Sequence, residues 1–273
     1  MEAFGLFLVF MLVVSFFLVL FGTIGMGIYA IAIIPLLEGL KIKKGLTPLQ
    51  KAILCKHFRF YKDLDPIKKR SFEKRLKYFL MNKEFIPRKM ARVTEEMKVL
   101  IGACAVQITF GYQPLKLSTF RKIILYPGQY YSYFSRRKHK GEVNANGFIV
   151  LSWEDFLKGY NIPDDGYNLG LHEMAHALRL EDAITKDEFA FINEKHLSDW
   201  HKISGREMKK IRSGQTTFLR SYAGSNRDEF FAVCVEYFFE KPIEFKQKLP
   251  ELYIALGKLL NQDPATKTGN TYS

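Results

Sequence analysis

Two histidines four residues apart, with a glutamate directly after the first, are the residues of this chain best suited to chemistry. They lie in Leu171-His172-Glu173-Met174-Ala175-His176-Ala177-Leu178, an H-E-x-x-H pattern. On a helix, residues four apart share a face, so His172 and His176 can offer two imidazoles to one metal ion. Glu173 projects beside them and can take a proton from metal-bound water, as in zinc hydrolases. The flanking Leu171, Met174, Ala175 and Leu178 are apolar, and no Gly or Pro interrupts the stretch. That favours a mostly buried helix over a surface helix with two solvated histidines.

A third ligand is sought next. Arg227 to Glu240 reads as a strongly apolar helix that carries Glu229 and Glu236 seven residues apart on one face. Carboxylates within such a run need a partner or a metal. Glu229 as third zinc ligand answers this need. Glu236, two turns on, either orients a ligand histidine from behind or emerges solvated at the rim. His57, His139, His196 and His201 read as surface or core histidines. His196 and His201 are five apart, which does not stack them on one helix face. Cys55, Cys104 and Cys234 form no C-x-x-C pair; they read as buried reduced thiols in a reducing compartment, not as zinc ligands.

The elements that must position these residues are legible in outline. Asp65-Pro66 and Thr94-Glu95-Glu96 are helix starts. Phe72, Leu76, Phe79 and Leu80 in the first helix, and Met97 through Ile108 in the second, recur at core-facing spacing. Ile123 to Tyr126 reads as a strand closed by Pro127-Gly128. Tyr130 to Phe134 is a strand or a loop, and the basic Arg136 to Asn146 reads as a loop. Phe148 to Trp153 is the clearest strand. It is either an edge strand that pairs with a substrate backbone or an ordinary buried strand. Helical patches are expected at Phe189–Trp200 and Ile203–Phe218, then a helix from Pro242 to about Leu260. Asn261 to Ser273 reads as a frayed polar tail.

The chain begins with 35 positions, Ala3 to Leu37, that carry no charge. A bilayer-spanning helix needs roughly 20 apolar residues. One transmembrane helix is expected within residues 4–30, anchoring the chain in a lipid bilayer. A cleaved signal peptide is the alternative, but no Lys or Arg precedes the run. Lys41, Lys43 and Lys44 follow it, and the positive-inside bias places the rest of the chain in the cytoplasm. The net charge of +13 is scattered and comes with no nucleic-acid motif, so an anionic membrane surface suits it better than nucleic acid.

Taken together, several stretches resemble one family. These are H-E-x-A-H (His172 to His176), S-Y-A (Ser221 to Ala223), E-x-F-A-V-x-x-E-Y-F-F (Glu229 to Phe239), P-E-L-Y (Pro250 to Tyr253) and N-Q-D-P (Asn261 to Pro264). Upstream, Val93 to Ile101 and Leu125 to Gly128 belong to the same pattern. Over residues 50–264 the chain is similar to the Mlc titration factor A family of zinc-dependent peptidases. The resemblance implies an α+β, zincin-like fold, mostly helical with a small sheet, akin to the catalytic domain of lethal-factor-type proteases. It implies His172, His176 and Glu229 as zinc ligands, Glu173 as base, and Tyr222 as hydroxyl donor to the tetrahedral oxyanion. Arg179 departs from the pattern, standing where the family often has an acidic residue.

The expectation is a membrane anchor with a basic juxtamembrane segment (1–44), a zinc metallopeptidase domain (45–264) acting on a peptide or protein substrate, and a polar tail (265–273). The competing expectation is a regulatory protein that captures a protein partner on a zincin fold with little turnover.

Overall fold

The structure, a computed structural model, describes residues 45–112, 117–132, 136–162, 164–185, 193–215 and 217–266, together with isolated positions between 11 and 26. The chain divides into two compact units, Met1–Gly45 and Leu46–Ser273. In the first unit, most of the expected membrane helix lies outside the described residues. Among the described residues, no helix is long and apolar enough to cross a membrane.

The second unit opens with α1 (Pro48–His57) and α2 (Arg59–Asp63). Thr47 and Gln50 close a reciprocal capping box on α1. α3 (Pro66–Asn82) starts as its Asp65-Pro66 signal demands, with the Asp65 carboxylate accepting from the Ile67 and Lys68 amides. After β1 (Glu84–Pro87), Thr94 caps α4 (Glu95–Thr109). Every residue of α4 from Val99 to Thr109 is buried, which makes it the central post of the core. Gly102 is where α3 crosses it: a Cβ there would lie 2.7 Å from a Leu76 methyl.

Then come β2 (Lys122–Tyr126), β3 (Tyr130–Ser132), β4 (Arg137–His139), β5 (Gly141–Asn144) and β6 (Phe148–Ser152). Three of these strands join β1 in a mixed sheet of order β1-β2-β6-β5, while β3 and β4 pair separately. β1, β2 and β6 run parallel, and β5 is antiparallel to β6. Ile123, Leu125, Ile149 and Leu151 alternate onto the buried face.

One sequence expectation is corrected here, and one left open is decided. Arg136–Asn146 is not a loop, because the register Gly141↔Leu151 to Asn144↔Phe148 draws its polar residues into a strand. Pairing with an apolar neighbour decides this, and local propensity does not. β6 is internal, and β5 takes the end of the sheet.

α5 (Trp153–Asn161) follows directly, so Trp153 opens a helix rather than ending the strand. α6 (Leu169–Thr185) carries the H-E-x-x-H stretch. α7 (Glu194–Arg212) is one continuous helix across the two expected patches, and its expected start at Phe189 lies outside the described residues. A 3-10 turn (Ser221–Gly224) leads to α8 (Arg227–Glu240), α9 (Pro242–Lys248) and α10 (Pro250–Leu260). The expected single helix after Pro242 is thus two, broken before Pro250.

The described part of the expected frayed tail, residues 261–266, is packed, and residues 267–273 lie outside the described residues. Gln262 and Asp263 are buried, Gln262 donates to the Gln107 and Ile108 carbonyls, and Tyr253 donates to Asp263 at 2.6 Å. These contacts cap the exposed carbonyls at the end of α4. Cys104 and Cys234 are buried free thiols, whereas Cys55 is exposed.

Candidate metal centre

α6 and α8 pack together and bring the two motifs face to face. Asn168 starts α6, its side chain accepting from the Leu171 amide at 3.0 Å. Asn226 starts α8 by accepting from the amides of Asp228 and Glu229, both at 2.9 Å. That cap places Glu229 in the first turn, where the helix dipole favours a carboxylate.

His172, His176 and Glu229 converge. Their ligand atoms all lie within 4.8 Å of one another. The two Nε2 atoms are 3.1 Å apart, and Oε2 of Glu229 stands 3.0 Å from His172 and 3.7 Å from His176. Ligands held about 2.0–2.2 Å from a tetrahedral ion are themselves about 3.3–3.6 Å apart, and the three separations lie within about 0.3 Å of that range on either side. Oε2 of Glu229 is buried and has no hydrogen-bond partner. A proton between any two of these atoms would leave the third unsatisfied; a divalent cation satisfies all three. The donor set, two imidazoles and a carboxylate, is that of catalytic zinc sites. Among the described residues this is the group able to hold a metal. His57 pairs with Glu96, and His139 lies on β4. His196 and His201 lie on α7, and none of these four histidines joins the cluster.

Glu173 lines the same cleft as the ligands and reaches the sheet. It is 5% exposed, and its carboxylate lies against Gly141 at the start of β5. Burial raises its pKa to about 7, against the opposing pull of His172 and His176. Such a value suits a general base at neutral pH. Burial pushes His172 down, but the carboxylates of Glu229 and Glu236 outweigh it and hold the ring up at about 10. The two imidazoles in turn hold Glu229 well below the usual carboxylate range, against the effect of burial. Tyr222 sits in the 3-10 turn, half exposed, its ring 6.3 Å from that of His172.

Of the two readings left open for Glu236, the structure takes the buried one. Glu236 is 1% exposed and accepts from Nδ1 of His172 at 2.7 Å. The other contacts of its carboxylate come from the Asn168 amide at 2.6 Å and Arg220 at 2.5 Å. A carboxylate on Nδ1 fixes the tautomer that presents Nε2 to a metal.

Arg220, Asn168, Gly141 and Glu240 carried no signal in the sequence. Each matters through a partner more than 15 residues away. Arg179, the departure from the family pattern, reaches Asp228 at 3.1 Å and ties α6 to the start of α8.

The three candidate ligands, Glu173, Tyr222, Glu236 and Arg220 line a cleft of about 1280 Å³. A helix presenting H-E-x-x-H, a glutamate from a second helix and a small mixed sheet beside them define a metallopeptidase of the zincin type. The comparison of sequences agrees: residues 40–260 match the family described as glucose-regulated metallo-peptidase M90, and the chain belongs to that family. Relatives include an uncharacterized protein of Synechocystis, 26% identical over 81% of this chain and 86% of its own length. The Mlc titration factor A proteins of Edwardsiella ictaluri (26%) and Escherichia coli (24%) each align with 68% of this chain, and with 77% and 76% of their own lengths.

Proposed function

We propose that this chain is a zinc-dependent peptidase anchored in a membrane, with its catalytic domain in the cytoplasm. The convergence of His172, His176 and Glu229 beside a buried Glu173 carries the reading. His172, His176 and Glu229 would hold the ion, which when bound would supply a water of lowered pKa and polarisation of a carbonyl. Glu173 accepts the proton from the attacking water and passes it to the leaving amine. The Tyr222 hydroxyl donates to the oxyanion as charge develops. Glu236 holds the His172 ring through Nδ1. The substrate backbone adds to β5, which ends the sheet and whose Gly141, Glu142 and Val143 line the cleft.

The anchor rests on the uncharged run of residues 3–37 and the lysines after it. A second reading starts from the name of the relatives, Mlc titration factor A, which speaks of titration and not of cleavage. In that reading the same cleft captures a partner with little turnover.

One comparison separates the two readings: hydrolysis of a mixed peptide library by the zinc-loaded full chain and by Glu173→Gln. Cleavage by the native chain with loss of at least about 100-fold in the variant, at equal zinc content, is the expected result. Equal silence from two zinc-loaded proteins would transfer the assignment to partner capture.

A further inference from the structure

Besides Tyr222, two large apolar side chains lie open in the cleft wall, Tyr167 at 57% and Ile162 at 49% exposure. Exposed apolar surface beside a reaction centre is surface that a ligand covers. Tyr167 is not loosely placed. Its amide donates to Asp165 at 2.8 Å, and it follows Gly166, whose φ of +79° suits glycine. A Cβ on Gly166 would also meet the Tyr237 ring at 2.7 Å. One face of the Tyr167 ring rests on the Arg220 guanidinium, 4.3 Å from the ring centre. That guanidinium is held at two further points, donating to the Gly166 carbonyl and to Glu236. Glu236 in turn holds His172. The ring is therefore a platform fixed to the same scaffold as the metal ligands.

The geometry points to a subsite formed by Tyr167 and Ile162 that binds one neutral apolar or aromatic side chain of the peptide substrate. This rests on the peptidase reading and deepens it. The chemistry of the wall selects the class. A flat ring in a cleft that a branched aliphatic side chain also lines suits stacking and apolar burial. Arg220 beneath the ring uses its electron-rich face, and Lys158 also lines the cleft. A second cation is disfavoured there. The Asp165 carboxylate, which accepts from the Tyr167 amide and also lines the cleft, disfavours a second carboxylate there. Bulky and uncharged is the remaining class.

The test uses binding, so that it does not depend on turnover. Two pairs of peptide hydroxamates present phenylalanine or glycine, one pair on each side of the chelating group. Their affinities are measured on the zinc-loaded full chain and on Tyr167→Ala and Tyr167→Phe. In one pair the phenylalanine compound binds at least about tenfold tighter than the glycine compound, the ratio that partial burial of an aromatic ring supplies. That ratio collapses in Tyr167→Ala and survives in Tyr167→Phe, with zinc content equal in all three. Equal affinities in both pairs, absent binding included, overturn the subsite. So does a ratio unchanged in Tyr167→Ala. Selective binding with no hydrolysis of any library peptide leaves the subsite standing and removes the peptidase reading alone.

Discussion

Single residues around the metal centre act through their neighbours, and this makes their effects separable. Glu236 touches His172 but no metal ligand atom, so Glu236→Ala is expected to weaken zinc affinity about 10- to 100-fold. Competition with a chromophoric chelator checks this, and an unchanged affinity would mean that packing alone orients the ring. Gly141 makes a different case. A Cβ there would stand 2.3 Å from the Glu173 carboxylate. No protein hydrogen bond to that carboxylate is seen among the described residues. Packing against β5 therefore places the base, and moving its flexible end is the cheapest relief. Gly141→Ala is expected to lower kcat by about tenfold or more through displacement of the base, with zinc content unchanged. A variant with native kcat would show that Glu173 keeps its position by other means.

At the scale of elements, the turn entering α6 is fastened to the end of α8. Glu240 accepts from the Gly166 amide and from the Asn168 side chain, both at 3.0 Å. Burial raises its pKa to about 8, reinforced by Glu236 and Asp165. The unfolded chain releases this proton near pH 4.5 and the folded chain near 8. Between those values the unfolded state binds fewer protons, so this group's contribution to stability is fully present below about 4.5 and is lost as pH rises to 8. Glu240→Gln removes this titration, and the decline in urea midpoint between pH 5 and pH 8 is expected to become shallower. An identical slope in both proteins would show that Glu240 is already ionised throughout that range. Its partner elements explain why the turn is worth fastening. Asn168 starts the metal-binding helix, and Tyr167 lines the cleft.

For the whole molecule, the two units pose separate questions. Leu46–Ser273 holds the candidate metal centre, and Met1–Gly45 holds the uncharged run. If the run spans a bilayer, the full chain stays with the membrane fraction through an alkaline carbonate wash, while peripheral proteins are released. Recovery in the wash would remove the anchor from the proposal without touching the metal centre.

How much of this was legible follows from the range of each interaction. H-E-x-x-H works within one helix turn, so His172, Glu173 and His176 could be read from spacing alone. Glu229 and Glu236 could be suspected because a carboxylate in an apolar helix needs a partner. Helix starts at Asp65 and Thr94 were visible because a cap bonds within three residues. Tertiary structure alone decided that β5 ends the sheet, since strand order depends on pairing between distant segments and polar residues join a strand when a neighbour's backbone is there to bond. It alone set Gly141 against Glu173, Arg220 under Tyr167, and Gln262 on the end of α4. These contacts join residues far apart in the chain, and no local pattern encodes them.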